Sequence, residues 1–122
     1  MTASAVTLGI TGVACTFMPA EILTYCGIAA SKPYELCVQI FGAMYFGYAM
    51  LNWMTKDAII GGIYNRAIAI ANLTHFTIAA LALVKAVFST QAMPLPFLLL
   101  AAVYTIFAVS FGIIFMTQPA KQ

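Results

Sequence analysis

Four long apolar stretches, separated by short polar segments, dominate the pattern of this chain. They cover roughly residues 5–29, 36–54, 67–87 and 95–116. A helix needs about 20 mostly apolar residues to cross the hydrocarbon core of a bilayer. The pattern therefore predicts four transmembrane helices.

The short segments between these stretches contain residues that favour turns. Pro33 opposes a continuous helix after the first stretch, and Gly61-Gly62 interrupts the chain after the second. Pro94 and Pro96 suit the first turn of the fourth helix, where a missing N–H does no harm. Connections this short make neighbouring helices antiparallel. We therefore predict an all-α fold, an integral membrane up-down-up-down four-helix bundle, with residues 1–122 in a single domain.

The composition supports a membrane environment. Hydrophobic residues make up 64% of the chain and charged residues 7%, whereas a soluble domain has about 25% charged residues. The net charge of +2 comes without any Lys/Arg cluster, so we expect no nucleic-acid partner. No basic residue precedes the first apolar stretch, which we therefore interpret as a retained span and not as a cleaved signal peptide.

The basic residues give an orientation. In the predicted topology Lys56, Arg66 and Lys121 lie on the same side as the termini, and Lys32 and Lys85 lie on the opposite side. Loops rich in Lys and Arg stay in the cytoplasm. Three basic residues against two favour cytoplasmic termini, in what we expect to be a bacterial inner membrane.

Glu21 is the most informative single residue. It is the only charged residue between Met1 and Ser31, and an ionisable side chain inside a membrane span is a candidate functional site. Pro19, two residues earlier, removes a helix hydrogen bond and predicts a bend. On a continuous helix Glu21 would lie roughly 6 Å from the middle of the span.

Two further polar side chains fall in the same half of the predicted bundle. Gln39 is estimated at roughly 9 Å from the midplane and Lys85 at roughly 12 Å. Together with Glu21 they would form one polar layer. Lys85 either pairs with Glu21 or extends its ammonium group to the interface.

A second polar group follows the third stretch. Asn65, Asn72 and His75 recur at intervals of seven and three residues, so they share one helix face. Arg66 lies at the start of the same helix. Asn52 ends the second stretch at a similar level. Because lipid cannot satisfy such groups, this face should point into the bundle or into an oligomer contact. The two interpretations are hydrogen bonds between helices and a ligand or proton site.

Aromatic residues mark the ends of the apolar stretches. Trp53 ends the second stretch beside Lys56, and Tyr34 and Tyr64 also lie at stretch ends. This placement is typical of membrane–water interfaces. We interpret Trp53 as a structural residue.

Small residues at four-residue spacing indicate faces where helices approach closely. Ala5-x-x-x-Gly9 marks a face of the first helix and Ala43-x-x-x-Gly47 a face of the second. The three cysteines, Cys15, Cys26 and Cys37, form no Cys-x-x-Cys pair. We expect them to be small buried thiols, with a disulfide between the last two as the alternative.

The residues for metal and nucleophilic chemistry are scarce. A single histidine without a neighbouring cysteine or carboxylate gives too few ligands for a metal, so we expect no metal and no cofactor. The one aspartate, Asp57, lies in a predicted loop. A Ser-His-Asp or Cys-His arrangement therefore has little support.

Two resemblances follow from these motifs. A Pro-x-Glu sequence at Pro19, a following glycine and a second span ending near Asn52-Trp53 resemble small four-span bacterial membrane proteins, which names no activity. Four short spans with a lone glutamate in the first also resemble the small multidrug-resistance antiporters in architecture. The motifs that surround the glutamate in that family are not found here.

Three functions are compatible with these patterns. The first is a non-catalytic membrane protein that binds lipid or another apolar ligand, as a homo-oligomer or as a subunit of a larger complex. The second is a proton-coupled transporter that acts as a dimer through Glu21, with His75 as a relay. The third is an intramembrane lipid-modifying enzyme, for which Glu21 and His75 are estimated to lie roughly 9 Å apart along the bundle axis.

Overall fold

The structure, a computed structural model, describes residues 1–57, 63–89 and 94–117. Those residues form five helices, which confirms the all-α prediction: α1 (Thr2–Phe17), α2 (Pro19–Tyr25), α3 (Lys32–Met54), α4 (Ile63–Ser89) and α5 (Leu95–Thr117). The chain divides into two compact units, Met1–Asp57 and Ala58–Gln122. The predicted Gly61-Gly62 interruption lies outside the described residues.

Within the described residues, two helices are long and apolar enough to cross a membrane. They are α4 over Asn65–Ser89 and α5 over Leu95–Thr117, and the pair of α1 and α2 would count as a third only if both belong to one bent span. The helix α3 is not among these candidates, because Gln39, Asn52 and its tyrosines lower its hydropathy. The coarser prediction of apolar, membrane-length helices is confirmed for the third and fourth stretches, and the four-helix membrane bundle is not.

The first apolar stretch contains a broken helix. The axes of α1 and α2 differ by 97° across Met18, whose backbone has φ −127° and ψ 47°. Pro19 has no N–H to donate to the carbonyl of Cys15, and a residue before proline is kept out of the α region. The bend predicted at Pro19 is therefore confirmed, and it is sharp enough to divide the stretch into two helices.

The short helix α2 ends at a glycine that the backbone requires. Gly27 has φ 72°, a left-handed conformation that costs glycine little. The N–H of Gly27 donates to the carbonyl of Thr24 at 3.0 Å, and that of Ile28 to Leu23 at 2.9 Å. This double closure is a Schellman motif. A proline at the start and a glycine just past the end thus define α2.

In the first unit, α1 and α3 pack as an antiparallel pair. Three contacts join rising positions on α1 to falling positions on α3: Ser4 with Asn52, Gly12 with Gly42, and Thr16 with Gln39. At the crossing, a Cβ atom on Gly12 would lie 2.8 Å from the backbone nitrogen of Phe46. The two helix backbones therefore touch directly.

The sequence analysis predicted that α3 makes its close contact through Ala43 and Gly47, which lie on a neighbouring face of this helix. Gly47 would have nothing within 4 Å of an added Cβ, and Ala43 is exposed, so the prediction for Ala43 and Gly47 is wrong. Gly42 and Ala49 are the buried small residues of α3 instead, and a Cβ atom added to Gly9 would lie 3.6 Å from the Cβ of Ala49. Alanines and glycines occur on several faces of α3, so small residues alone do not select one face.

In the second unit, α4 and α5 pack around aromatic rings. Phe76 is fully buried, and its ring centroid lies 5.1 Å from Tyr104, 4.9 Å from Phe107 and 5.7 Å from Phe111. Arg66 near the start of α4 lies over the ring of Phe115 near the end of α5, at 5.7 Å. Because positions rise on one helix as they fall on the other, the pair is antiparallel.

Candidate functional site

The helix break frees carbonyl groups, and Gln39 bonds to one of them. Its Nε2 donates to the carbonyl of Thr16 at 3.5 Å, a long bond at the limit of the usual range. The Thr16 hydroxyl donates at 2.8 Å to the carbonyl of Gly12, one turn earlier on its own helix. Gln39 was predicted as a ligand or proton site, and the structure places its amide on the end of α1.

Glu21 lies in the first turn of α2 and is exposed. Negative side chains are favoured in a first helical turn because the unpaired N–H groups there carry partial positive charge. An open hollow on the surface is lined by Ala20, Glu21, Thr24 and Tyr25. The buried residue of this helix is Leu23. Short as it is, α2 thus has an apolar face toward the unit and a polar face outward.

This geometry changes the position of Glu21 relative to the first span. Its estimated depth of roughly 6 Å assumed one continuous helix. Glu21 instead lies past the end of α1, on a helix that turns away by 97°. The assumption of a continuous helix is therefore wrong, and the depth derived from it no longer applies.

Lys85, the proposed partner of Glu21, belongs to the second unit. It is exposed on α4, four residues before that helix ends at Ser89. Among the described residues, Lys32 and Glu35 at the start of α3 form an ion pair, with Nζ and Oε2 3.1 Å apart. A pairing of Lys85 with Glu21 stays a prediction.

Asn52 is the most completely buried polar side chain of the first unit. Its Nδ2 lies 3.2 Å from the Oγ of Ser4, and this hydroxyl donates to the carbonyl of Met1 at 2.7 Å. Asn52 is 0% and Ser4 1% exposed. The chain of bonds connects the end of α3 to the start of α1, which fits the structural role predicted for Asn52.

Trp53 lies beside Asn52 and is half-exposed. The Nζ of Lys56 lies 3.7 Å from the centroid of its ring, within the range of a cation–π contact. Tyr34, at the opposite end of α3, is 55% exposed. The side chain of Tyr64 lies outside the described residues.

Of the polar residues on α4, Asn72 is buried and His75 contacts an aromatic ring of α5. Asn72 is 0% exposed, and its Nδ2 donates to the carbonyl of Ile68 at 2.9 Å. The ring of His75 is half-buried between Phe76 at 5.2 Å and Tyr104 at 5.8 Å. Asn65, the third residue of α4, is partly exposed. His75 therefore sits in aromatic packing.

The cysteines are free thiols. Cys15 and Cys26 are half-buried, and Cys37 is exposed, so the prediction of burial is wrong for Cys37. The side chain of Cys37 lies on a face of α3 that does not meet α1. Among the described residues, no three His, Cys, Asp or Glu side chains are grouped so as to hold a metal ion.

Sequence reasoning missed Ser4 and Thr16. Both are small hydroxyl residues in an apolar stretch, where they usually bond to their own helix, and both do so here. Their contacts with α3 depend on which faces meet. The spacing from Ser4 through Leu8 to Gly12, at four-residue intervals, is the signal that marks this face.

No family model, curated protein or solved structure matches the chain.

Proposed function

We propose that this chain is a non-catalytic integral membrane protein that acts as an oligomer, or as a subunit of a larger membrane complex, and binds lipid or another apolar ligand. The observation that carries the proposal is the use made of its polar side chains. Gln39 holds a carbonyl at a helix end, Asn52 holds Ser4, and Asn72 bonds one turn back on its own helix. The bonds of Gln39 and Asn52 thus join α3 to α1, and that of Asn72 lies within α4.

The surface of the described residues supports a lipid environment. The exposed large apolar side chains number 28, against ten apolar residues in the core. Soluble monomers rarely expose large apolar patches, so this number of exposed apolar side chains favours a lipid environment. Exposed hydroxyls such as Ser110 and Thr117 donate to carbonyls of their own helix at 2.7 Å, so they need no water.

The ends of α3 support its placement as a further membrane-crossing helix. Tyr34 and Trp53 are 19 positions apart, which is about 28 Å along a helix and close to the roughly 30 Å hydrocarbon core of a bilayer. Lys32 and Lys56 lie just outside these two aromatics. Aromatic and basic residues at both ends are the expected anchors of a span. The four-span arrangement, the bacterial inner membrane and the cytoplasmic termini stay predictions.

Purification in native lipid tests this function. The protein should be extracted into nanodiscs with its surrounding bilayer, without detergent, and its copy number, bound proteins and enriched lipids measured. We expect more than one copy or a stable partner, together with a lipid enriched over the bulk membrane. A single copy without partner or enriched lipid would contradict the proposal.

Proton-coupled transport is the second candidate, and the broken helix favours it. Discontinuous membrane helices in transporters use freed carbonyls and helix ends to bind ions. Here Glu21 lines an open hollow just after such a break. In liposomes, Glu21→Gln should abolish proton-coupled flux of a cationic substrate, while Glu35→Gln, at the Lys32 ion pair, should leave it. Unchanged flux in Glu21→Gln would exclude this candidate.

A further inference from the structure

An apolar groove runs along the second unit between α4 and α5. It has a volume of about 370 Å³ and is lined by eight residues: Val84, Val87, Phe88, Leu98, Ala101, Ala102, Thr105 and Ile106. The alanines on α5 leave the gap, since longer side chains there would fill it. From Leu98 to Ile106 the groove extends about 12 Å along the helix.

The groove offers nothing that water would bind. Thr105 is its one polar side chain, and its hydroxyl donates to the carbonyl of Ala101 at 2.7 Å. With this donor already engaged, the side chains that line this open groove leave no hydrogen-bond donor for water. A hydrocarbon chain is the occupant that such a lining selects.

A positive charge lies near the end of the groove that Phe88 and Leu98 form. Lys85 follows Val84 and precedes Phe88 by three residues, so it is a neighbour of Phe88 on the helix surface. It is exposed, about 6 Å along the axis from the end of α4. Residues 58–122 contain no Asp or Glu, so the second unit supplies no side-chain carboxylate to neutralise it. A long lysine at this level reaches the headgroup layer.

We propose that this groove binds one acyl chain of an anionic phospholipid and that Lys85 binds the phosphate of its headgroup. The inference rests on the proposed lipid-binding function and gives it a site and a lipid class. The acyl chain enters at Phe88 and Leu98 and runs inward past Ala102. The charge of Lys85 selects the headgroup, and the width of the groove selects the chain.

Native mass spectrometry of the purified protein tests the site. The full chain is equilibrated with mixed micelles that contain equal amounts of phosphatidylglycerol and phosphatidylcholine, and retained lipids are counted by mass. We expect phosphatidylglycerol to be favoured by about fivefold, the effect of one basic residue near a membrane surface. Lys85→Gln should remove the preference, while Arg66→Gln, at the other end of α4, should keep it.

The groove itself is tested by filling it. Ala102→Phe, or Ala102→Leu if the larger side chain lowers helicity, should reduce retention of both lipids. Ala82→Phe, an exposed alanine outside the groove, is the matched control and should change nothing. Equal lipid retention in Ala102→Phe and Ala82→Phe would contradict the proposal that the acyl chain binds in this groove.

The outcomes separate this site from the proposed function. Retention of lipid with no headgroup preference, or with a preference unchanged in Lys85→Gln, would overturn the Lys85 site and leave lipid binding intact. No retained lipid in the unmodified protein would contradict lipid binding itself. A preference that appears only in Glu21→Gln would show that Glu21 neutralises Lys85, and this too would overturn the site.

Discussion

The crossing of α1 and α3 at Gly42 makes the most quantitative prediction. A Cβ atom on Gly42 would lie 2.9 Å from both the carbonyl oxygen of Gly12 and the backbone nitrogen of Thr16, and 2.6 Å from the Thr16 hydroxyl. The hydroxyl can rotate away, but the backbone atoms cannot. Ordinary contact begins at 3.4 Å, so Gly42→Ala must separate the two helices by about 0.5 Å.

The expected cost follows from two opposing effects. Inserting a methyl group into a packed contact costs about 1–3 kcal/mol, and alanine gains about 0.5–1 kcal/mol over glycine inside a helix. Gly47→Ala is the matched control, because an added Cβ there meets nothing within 4 Å. This variant should therefore show only the stabilisation that alanine gives a helix relative to glycine. The difference between the two variants therefore isolates the clash, at about 1–3 kcal/mol.

Unfolding in mixed micelles with increasing sodium dodecyl sulfate, followed by circular dichroism, measures this difference. Gly42→Ala should unfold at a lower detergent fraction than the unmodified protein, and Gly47→Ala at the same fraction or a higher one. Equal free energies of unfolding for the two variants would refute the direct backbone contact between α1 and α3.

Two other predictions concern the ends of the first unit. Asn52→Ala should lower the free energy of unfolding by about 1–2 kcal/mol. A double-mutant cycle with Ser4→Ala in the same detergent titration should show that the two effects are coupled. Strict additivity of the two effects would contradict the Asn52–Ser4 bond. Pro19→Ala restores an N–H and should straighten the break between α1 and α2. Spin labels on Cys15 and Cys26, with Cys37 changed to serine, should then move apart from about 13 Å to about 16 Å. An unchanged label separation would show that packing, and not the proline, sets the bend.

The helical class and the bend were readable from the sequence because each depends on local chemistry. Apolar stretches of membrane length gave α4 and α5, and Pro19 gave the break. The bounds of α2 also depend on neighbouring residues in the sequence, with Pro19 at its start and Gly27 past its end. A continuous run of apolar residues hid it, because hydropathy does not distinguish a straight span from a broken one.

The contacts between helices were less predictable. Gly42 and Gly47 are both small residues on α3, and only one meets α1. Which face is used depends on the partner helix, here on the positions of Ser4 and Gly12. The predicted roles of Lys85 and His75 depend in the same way on neighbours that a single sequence does not identify.

The depth of Glu21 shows how one local feature changes a functional interpretation. A charge inside a straight span would demand a partner or a function. After a 97° turn, the same carboxylate is exposed in the first turn of α2, where negative charge is favoured by the helix itself. Glu21 therefore needs no buried partner to be stable in this position.

Native mass spectrometry of the protein released directly from its own membrane tests a non-catalytic, lipid-binding role most directly. The chain has a mass of 13.1 kDa. We expect species at multiples of the mass of one copy, or in complex with a second protein, that carry bound phospholipid. A single copy without lipid or partner would contradict this role.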